Sequence, residues 1–150
     1  MLKVEQRRKA RIATLQFLFG LEFHPLEGKE ELKDFWNYNP FRKSVRTYAE
    51  KLIWGIIETQ EEIDEIIKKS LTKWKWDRIG LIEKVILRIA VYEGGMSGLS
   101  PSRTSIYEAI ELAKMFGSED TPKFINGILD RVFTTQNWIE KEDGNTKSNE

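Results

Sequence analysis

Cysteine is absent from the 150 residues, histidine occurs once and proline four times. Without cysteine there is no disulfide framework, no thiolate nucleophile and no thiolate metal site. The single histidine, His24, stands beside Pro25 in what reads as a turn, and a lone loop histidine is more often solvated than a ligand or a proton shuttle. No apolar run approaches the ~20 residues of a membrane span, so a soluble, cytoplasmic protein is expected. Glycine-rich phosphate loops, G-x-S-x-G elbows and H-E-x-x-H motifs are missing too. Carboxylates such as Glu61-Glu62 and Asp64-Glu65 fall on polar helix faces, where solvated charge is the simpler account. The expectation is a protein without catalytic residues, metal or cofactor.

Net charge is also lacking, with 24 basic against 24 acidic residues. Against that neutral background one end stands out. Lys3, Arg7, Arg8, Lys9 and Arg11 give five positive charges against Glu5 alone in the first eleven residues, a net of +4. Such a cluster is the footprint of a phosphate-backbone binder, although a short basic terminus can equally be a solvated tail. A transit peptide would carry serines and no acids, whereas Glu5 interrupts this stretch and the first serine is Ser44. A secretory signal is not expected, because Glu22-Phe23-His24-Pro25 follows the apolar run instead of a small-residue cleavage site.

The periodicity is helical almost throughout. Apolar stripes run through Phe41, Val45, Tyr48, Leu52, Ile53 and Ile56, then Ile63, Ile66, Ile67 and Leu71, then Ile79, Ile82, Val85, Ile86 and Ile89. A further stripe, Ile106, Ala109, Ile110, Ala113 and Phe116, stops at Gly117 in a cap position. The last helix starts at Thr121-Pro122, a cap residue followed by a proline suited to the first turn. Breakers lie at Pro25 and Gly28, at Asn39-Pro40 and over Gly94–Gly98. The reading is an all-α, single globular domain of about seven helices over residues 1–139, with a polar tail over 140–150.

The first helix is apolar on nearly every side from Ile12 to Leu21, so its second half belongs in the core. Its first turns then present arginines from a rigid anchor, which separates this cluster from a loose tail. Trp74 and Trp76 alternate with Lys73 and Lys75. They could stack on bases, but covering a helix junction beneath lysine stems is the better reading. The segment from Gly117 to Gly127 is a helix–turn–helix junction whose second helix begins with free N–H groups. Lys123 and Phe124 near that start suit a phosphate and a base face, while a capped turn with a core phenylalanine stays open. Gly127 costs about 1 kcal/mol in a helix, tolerable where another helix packs close.

The Arg7–Arg11 block, the run Ile82–Glu93, the run Glu108–Lys114 and the segment Phe116–Asp130 together resemble the NusB family of bacterial transcription antitermination factors. The resemblance covers roughly residues 5–133, and its two C-terminal blocks are the specific ones. It implies an all-helical fold, no enzymatic activity, and binding to boxA RNA of ribosomal RNA leaders as a heterodimer with the ribosomal protein NusE. Through that pair it implies assembly with RNA polymerase and other Nus factors, and it leaves a homodimer open. On this chain the arginine-rich motif falls on Arg7, Arg8, Lys9 and Arg11. Asp120, Lys123 and Phe124 fall at the RNA surface, and Phe19 and Glu83 toward NusE. Phe19 stands where many relatives of that family carry tyrosine, Tyr107 where they often carry asparagine, and Pro122 in place of a more ordinary polar residue. Two alternatives remain. One is a helical RNA-binding domain like those before ribosomal RNA cytosine methyltransferases, which would require a cofactor domain after the tail. The other is a protein–protein adaptor whose arginines dock an acidic partner.

Overall fold

The computed structural model describes residues 2–23, 29–73 and 75–140. In chain order they form α1 (Val4–Leu21), α2 (Lys29–Tyr38), α3 (Lys43–Lys69), α4 (Leu81–Val91), α5 (Ser102–Phe116) and α6 (Thr121–Thr135). A 3-10 turn, Trp76–Arg78, precedes α4, and a π-helical turn, Tyr92–Met96, extends it. No strand occurs among the described residues, so the fold is all-α. His24, Trp74 and the tail beyond Glu140 lie outside them.

Six α-helices rather than seven arise because the stripes over 41–56 and 63–71 belong to one helix. No glycine or proline separates them, and α3 passes through a kink at Thr59 (φ −117°, ψ 16°). The Thr59 hydroxyl donates to the Gly55 carbonyl at 2.7 Å. A back-bonded threonine of this kind bends a helix without ending it.

The core is built where the apolar stripes of α1, α3, α4, α5 and α6 meet. Leu15, Leu52, Ile53, Ile86, Leu112, Ile125, Leu129 and Phe133 are all fully buried. Each such side chain removed from water stabilises the fold by about 1.5–3 kcal/mol. The second helix is shorter and covers one flank. Its Trp36 indole N–H donates to Glu50 of α3 at 2.8 Å, and Phe35 meets Phe17 of α1 edge-on at 5.6 Å.

Where glycines suggest a break over Gly94–Gly98, the chain winds more widely instead. The Ser97 N–H reaches the Tyr92 carbonyl at 2.9 Å, five residues back. Hydroxyls of α5 take up nearby carbonyls: Ser105 donates to Ala90 at 2.8 Å and Ser102 to Gly94 at 2.7 Å. A side chain at Gly94 would overlap Ser105, so α5 packs directly against the turn's backbone. Glu93 on that turn is thereby aimed inward and is 1% exposed.

Candidate nucleic-acid interface

The basic block of α1 divides by helical geometry into an inward and an outward set. Positions 7, 8 and 11 are one turn apart or less, and they face α3, α5 and the π turn. Arg11 is buried. Its Nε donates to Glu93 Oε1 at 2.8 Å, and its Nη1 lies 3.3 Å from Glu108 Oε1. Arg8 grips Glu108 with two hydrogen bonds, Nε to Oε1 at 2.9 Å and Nη2 to Oε2 at 2.8 Å. Tyr48 of α3 donates its hydroxyl to Glu93 Oε2 at 2.5 Å, and the Arg7 guanidinium lies 5.3 Å from the centroid of the Tyr48 ring.

Two arginines and two carboxylates thus cancel inside the molecule. This corrects the expectation for Arg11, whose guanidinium is unavailable to a surface ligand. Arg8 keeps 38% of its side chain exposed and engages Glu108 through its Nε–Nη2 edge. Lys9 is exposed and Arg7 half-buried. The network also sets proton affinities. The Arg8 hydrogen bonds hold the Glu108 carboxyl below its ordinary range, against burial, with the Arg11 charge adding to the effect. Burial first, and then the hydrogen bond to Glu93, push the Tyr48 hydroxyl well above its usual range.

The second set of candidates gathers in one open groove of about 620 Å³. Arg78, Glu83, Asp120, Lys123 and Phe124 line it, with Thr121 at its back. The turn over residues 117–120 is fixed by Thr121, whose hydroxyl accepts from the Ser118 N–H at 2.9 Å and donates to Glu83 Oε2 at 3.1 Å. Gly117 ends α5 in extended backbone rather than a left-handed cap (φ −98°, ψ −173°), and its missing side chain makes room for Thr121. The last helix begins at Thr121, one residue before the expected proline. Lys123 is exposed and Phe124 half-buried against the core. Glu83, the third residue of α4, folds its carboxylate back over Gly80 at the helix start, where negative charge is favoured.

Glu83 therefore shares a groove with the residues expected at RNA. Phe19 lies at the far end of α1, half-buried, with its ring 5.2 Å from the exposed Phe23 ring in an edge-on contact. Close packing at Gly127 is not found: a side chain there would meet nothing within 4 Å. Trp76 serves as a junction cover, with Lys84 Nζ 4.8 Å, Arg88 5.5 Å and Lys68 5.8 Å from its ring centroid. Asp64 departs from the solvated-face expectation, since Arg88 binds it with two hydrogen bonds at 2.8 and 3.0 Å.

Sequence reasoning overlooked Glu93, Glu108 and Tyr48. A signal was present. Arg11 shares the α1 face of Ala10, Thr14 and Leu18, and Glu108 shares the α5 face of Ser105, Ala109 and Leu112. A charge on a buried helix face demands an opposite charge. Among the described residues, no group of three histidine, cysteine, aspartate or glutamate side chains could hold a metal ion. No helix among them is long and apolar enough to cross a membrane.

An all-helical bundle with an anchored basic helix end and a groove combining cations, a carboxylate and an aromatic ring defines a helical binding domain. Residues 8–134 match the sequence model of the NusB family. A transcription antitermination protein NusB of Desulfotalea psychrophila is 39% identical over 134 residues, spanning 85% of this chain and 95% of the relative. Among solved structures, T. maritima NusB is 35% identical with a TM-score of 0.76, over 84% of this chain and 89% of that one. A chain from the crystal structure of antitermination factors NusB and NusE in complex with dsRNA is 27% identical with a TM-score of 0.79. That match covers 89% of this chain and 99% of the other. The chain belongs to the NusB family, and the relatives named above are transcription antitermination proteins.

Proposed function

We propose that this protein binds boxA-type RNA of ribosomal RNA leader transcripts as a heterodimer with NusE, and so helps assemble an antitermination complex on RNA polymerase in the cytoplasm. The observation that carries the reading is the near full-length likeness to a chain solved with NusE and dsRNA, joined to family membership over residues 8–134. Lys9, Arg7 and the outer edge of Arg8 supply phosphate contacts at the start of α1. Asp120, Lys123 and Phe124 meet RNA at the α6 groove, Lys123 through phosphate and Phe124 through a base face. Phe19 and Glu83 meet NusE, Glu83 from a groove it shares with the RNA residues. Because the chain is neutral overall, RNA affinity alone is modest, and NusE on the same RNA raises it through linked binding.

The test is a titration of boxA-type RNA and of a scrambled RNA, each with NusE present. Tighter binding of the boxA-type RNA, lost on Lys123→Ala, supports the assignment. Equal binding of both RNAs reduces it to general RNA affinity.

A further inference from the structure

We infer that the open groove between the start of α1 and the start of α3 carries a second stretch of single-stranded RNA backbone, held by Lys3, Lys9 and Arg42 and continued by Lys43 and Arg46. The groove encloses about 550 Å³, with Ile12 and Phe41 among its apolar lining and Glu5 as its one acid. Lys3, Lys9, Arg42 and Lys43 are exposed and Arg46 is half-buried. None of the five takes part in an ion pair among the described residues. The Arg46 Nε is buried without a hydrogen-bond partner. This contrasts with Arg8, Arg11 and Arg88, each of which the fold matches with a carboxylate.

No carboxylate among the described residues offsets these charges. The first turn of α3 holds no acidic residue, and its cap position, Arg42, makes no side-chain cap. Positive charge at a helix start opposes the helix dipole. In a chain of zero net charge, the unmatched cations Lys3, Lys9 and Arg42, from two segments far apart in sequence, line one groove, and Lys43 and Arg46 follow on the next turn of α3. A polyanion relieves that repulsion and releases its own counterions. The apolar lining leaves room for bases beside a backbone held by the rim. The inference rests on the RNA reading above and extends its path from α1 onto α3, which neither the arginine motif nor the α6 groove includes.

The experiment titrates fluorescently labelled boxA-type RNA, with NusE present, across a salt series against wild type, Arg42→Ala/Lys43→Ala, and a control double variant, Lys33→Ala/Lys69→Ala. Each lost phosphate contact on a single strand lowers the slope of log K against log salt by about 0.7, so the α3 variant loses about 1.4 and the control nothing. Melting curves confirm that both variants stay folded. If Arg42→Ala/Lys43→Ala keeps the wild-type affinity and slope while Lys123→Ala weakens binding, the groove inference falls and the RNA function stands. If wild type binds no RNA, both fall. Competition by poly-glutamate as effective as by unlabelled RNA would also overturn RNA as the occupant.

Discussion

Arg11 and Glu93, 82 positions apart, meet Nε to Oε1 at 2.8 Å with 3% and 1% of their side chains exposed. The pair ties α1 to the π turn after α4, and Glu108 and Tyr48 extend it to α5 and α3. A basic motif usually taken as ligand contacts is here partly a structural clasp. Its remaining cations are held at a fixed place because the clasp holds the helix beneath them.

Breaking the clasp from one side leaves an uncompensated buried charge, which costs about 3–5 kcal/mol. Glu93→Gln is expected to lower unfolding free energy by about 3 kcal/mol or more. Tyr48→Phe, which removes one hydrogen bond to a charged group, is expected to cost about 1.5–3 kcal/mol. Urea denaturation monitored by circular dichroism measures both. A Glu93→Gln protein as stable as wild type would show that the clasp holds nothing.

The acid side of the stability profile follows from Glu108. Its carboxyl titrates below the ordinary value of 4.5 in the folded protein. The folded state therefore binds fewer protons there, and the stability it contributes is present above about pH 4.5 and lost as pH falls through the depressed folded value. Glu108→Gln is expected to flatten the fall in melting temperature below pH 4.5 while lowering stability at neutral pH. An unchanged acid limb would contradict the Arg8–Glu108 assignment.

Two glycines are expected to respond in opposite directions. Gly94→Ala places a methyl group on Ser105 and Phe133, and overpacking of this kind costs about 1–3 kcal/mol. Gly127→Ala meets nothing within 4 Å, so the gain in helix propensity is expected to stabilise the protein by up to about 1 kcal/mol. Thermal melts of the two variants check this, and a destabilised Gly127→Ala would contradict the open space at that position.

The helical class and most helix positions were legible in the sequence, because stripes such as Ile125, Ile128, Leu129 and Val132 recur at helical spacing and the stripe before them ends at Gly117. The continuity of α3 was not, since a back-bonded Thr59 leaves no breaker to read. Lys123 and Phe124 at the start of the last helix could be placed from the cap and the helix register alone. The inward fate of Arg11 could not, because its partners Glu93 and Glu108 lie on other helices and only tertiary packing brings them together. The α1–α3 groove was missed for the same reason: Lys3 and Arg42 become neighbours only in the fold.

The division of the basic motif is tested most directly by measuring unfolding free energy and RNA affinity side by side for Arg11→Met and Lys9→Ala. The account predicts that Lys9→Ala melts like wild type yet binds RNA more weakly with a shallower salt slope. It predicts that Arg11→Met loses about 3–5 kcal/mol of stability through its stranded carboxylates. An Arg11→Met protein that stays as stable as wild type but no longer binds RNA would place Arg11 at the RNA and contradict the account.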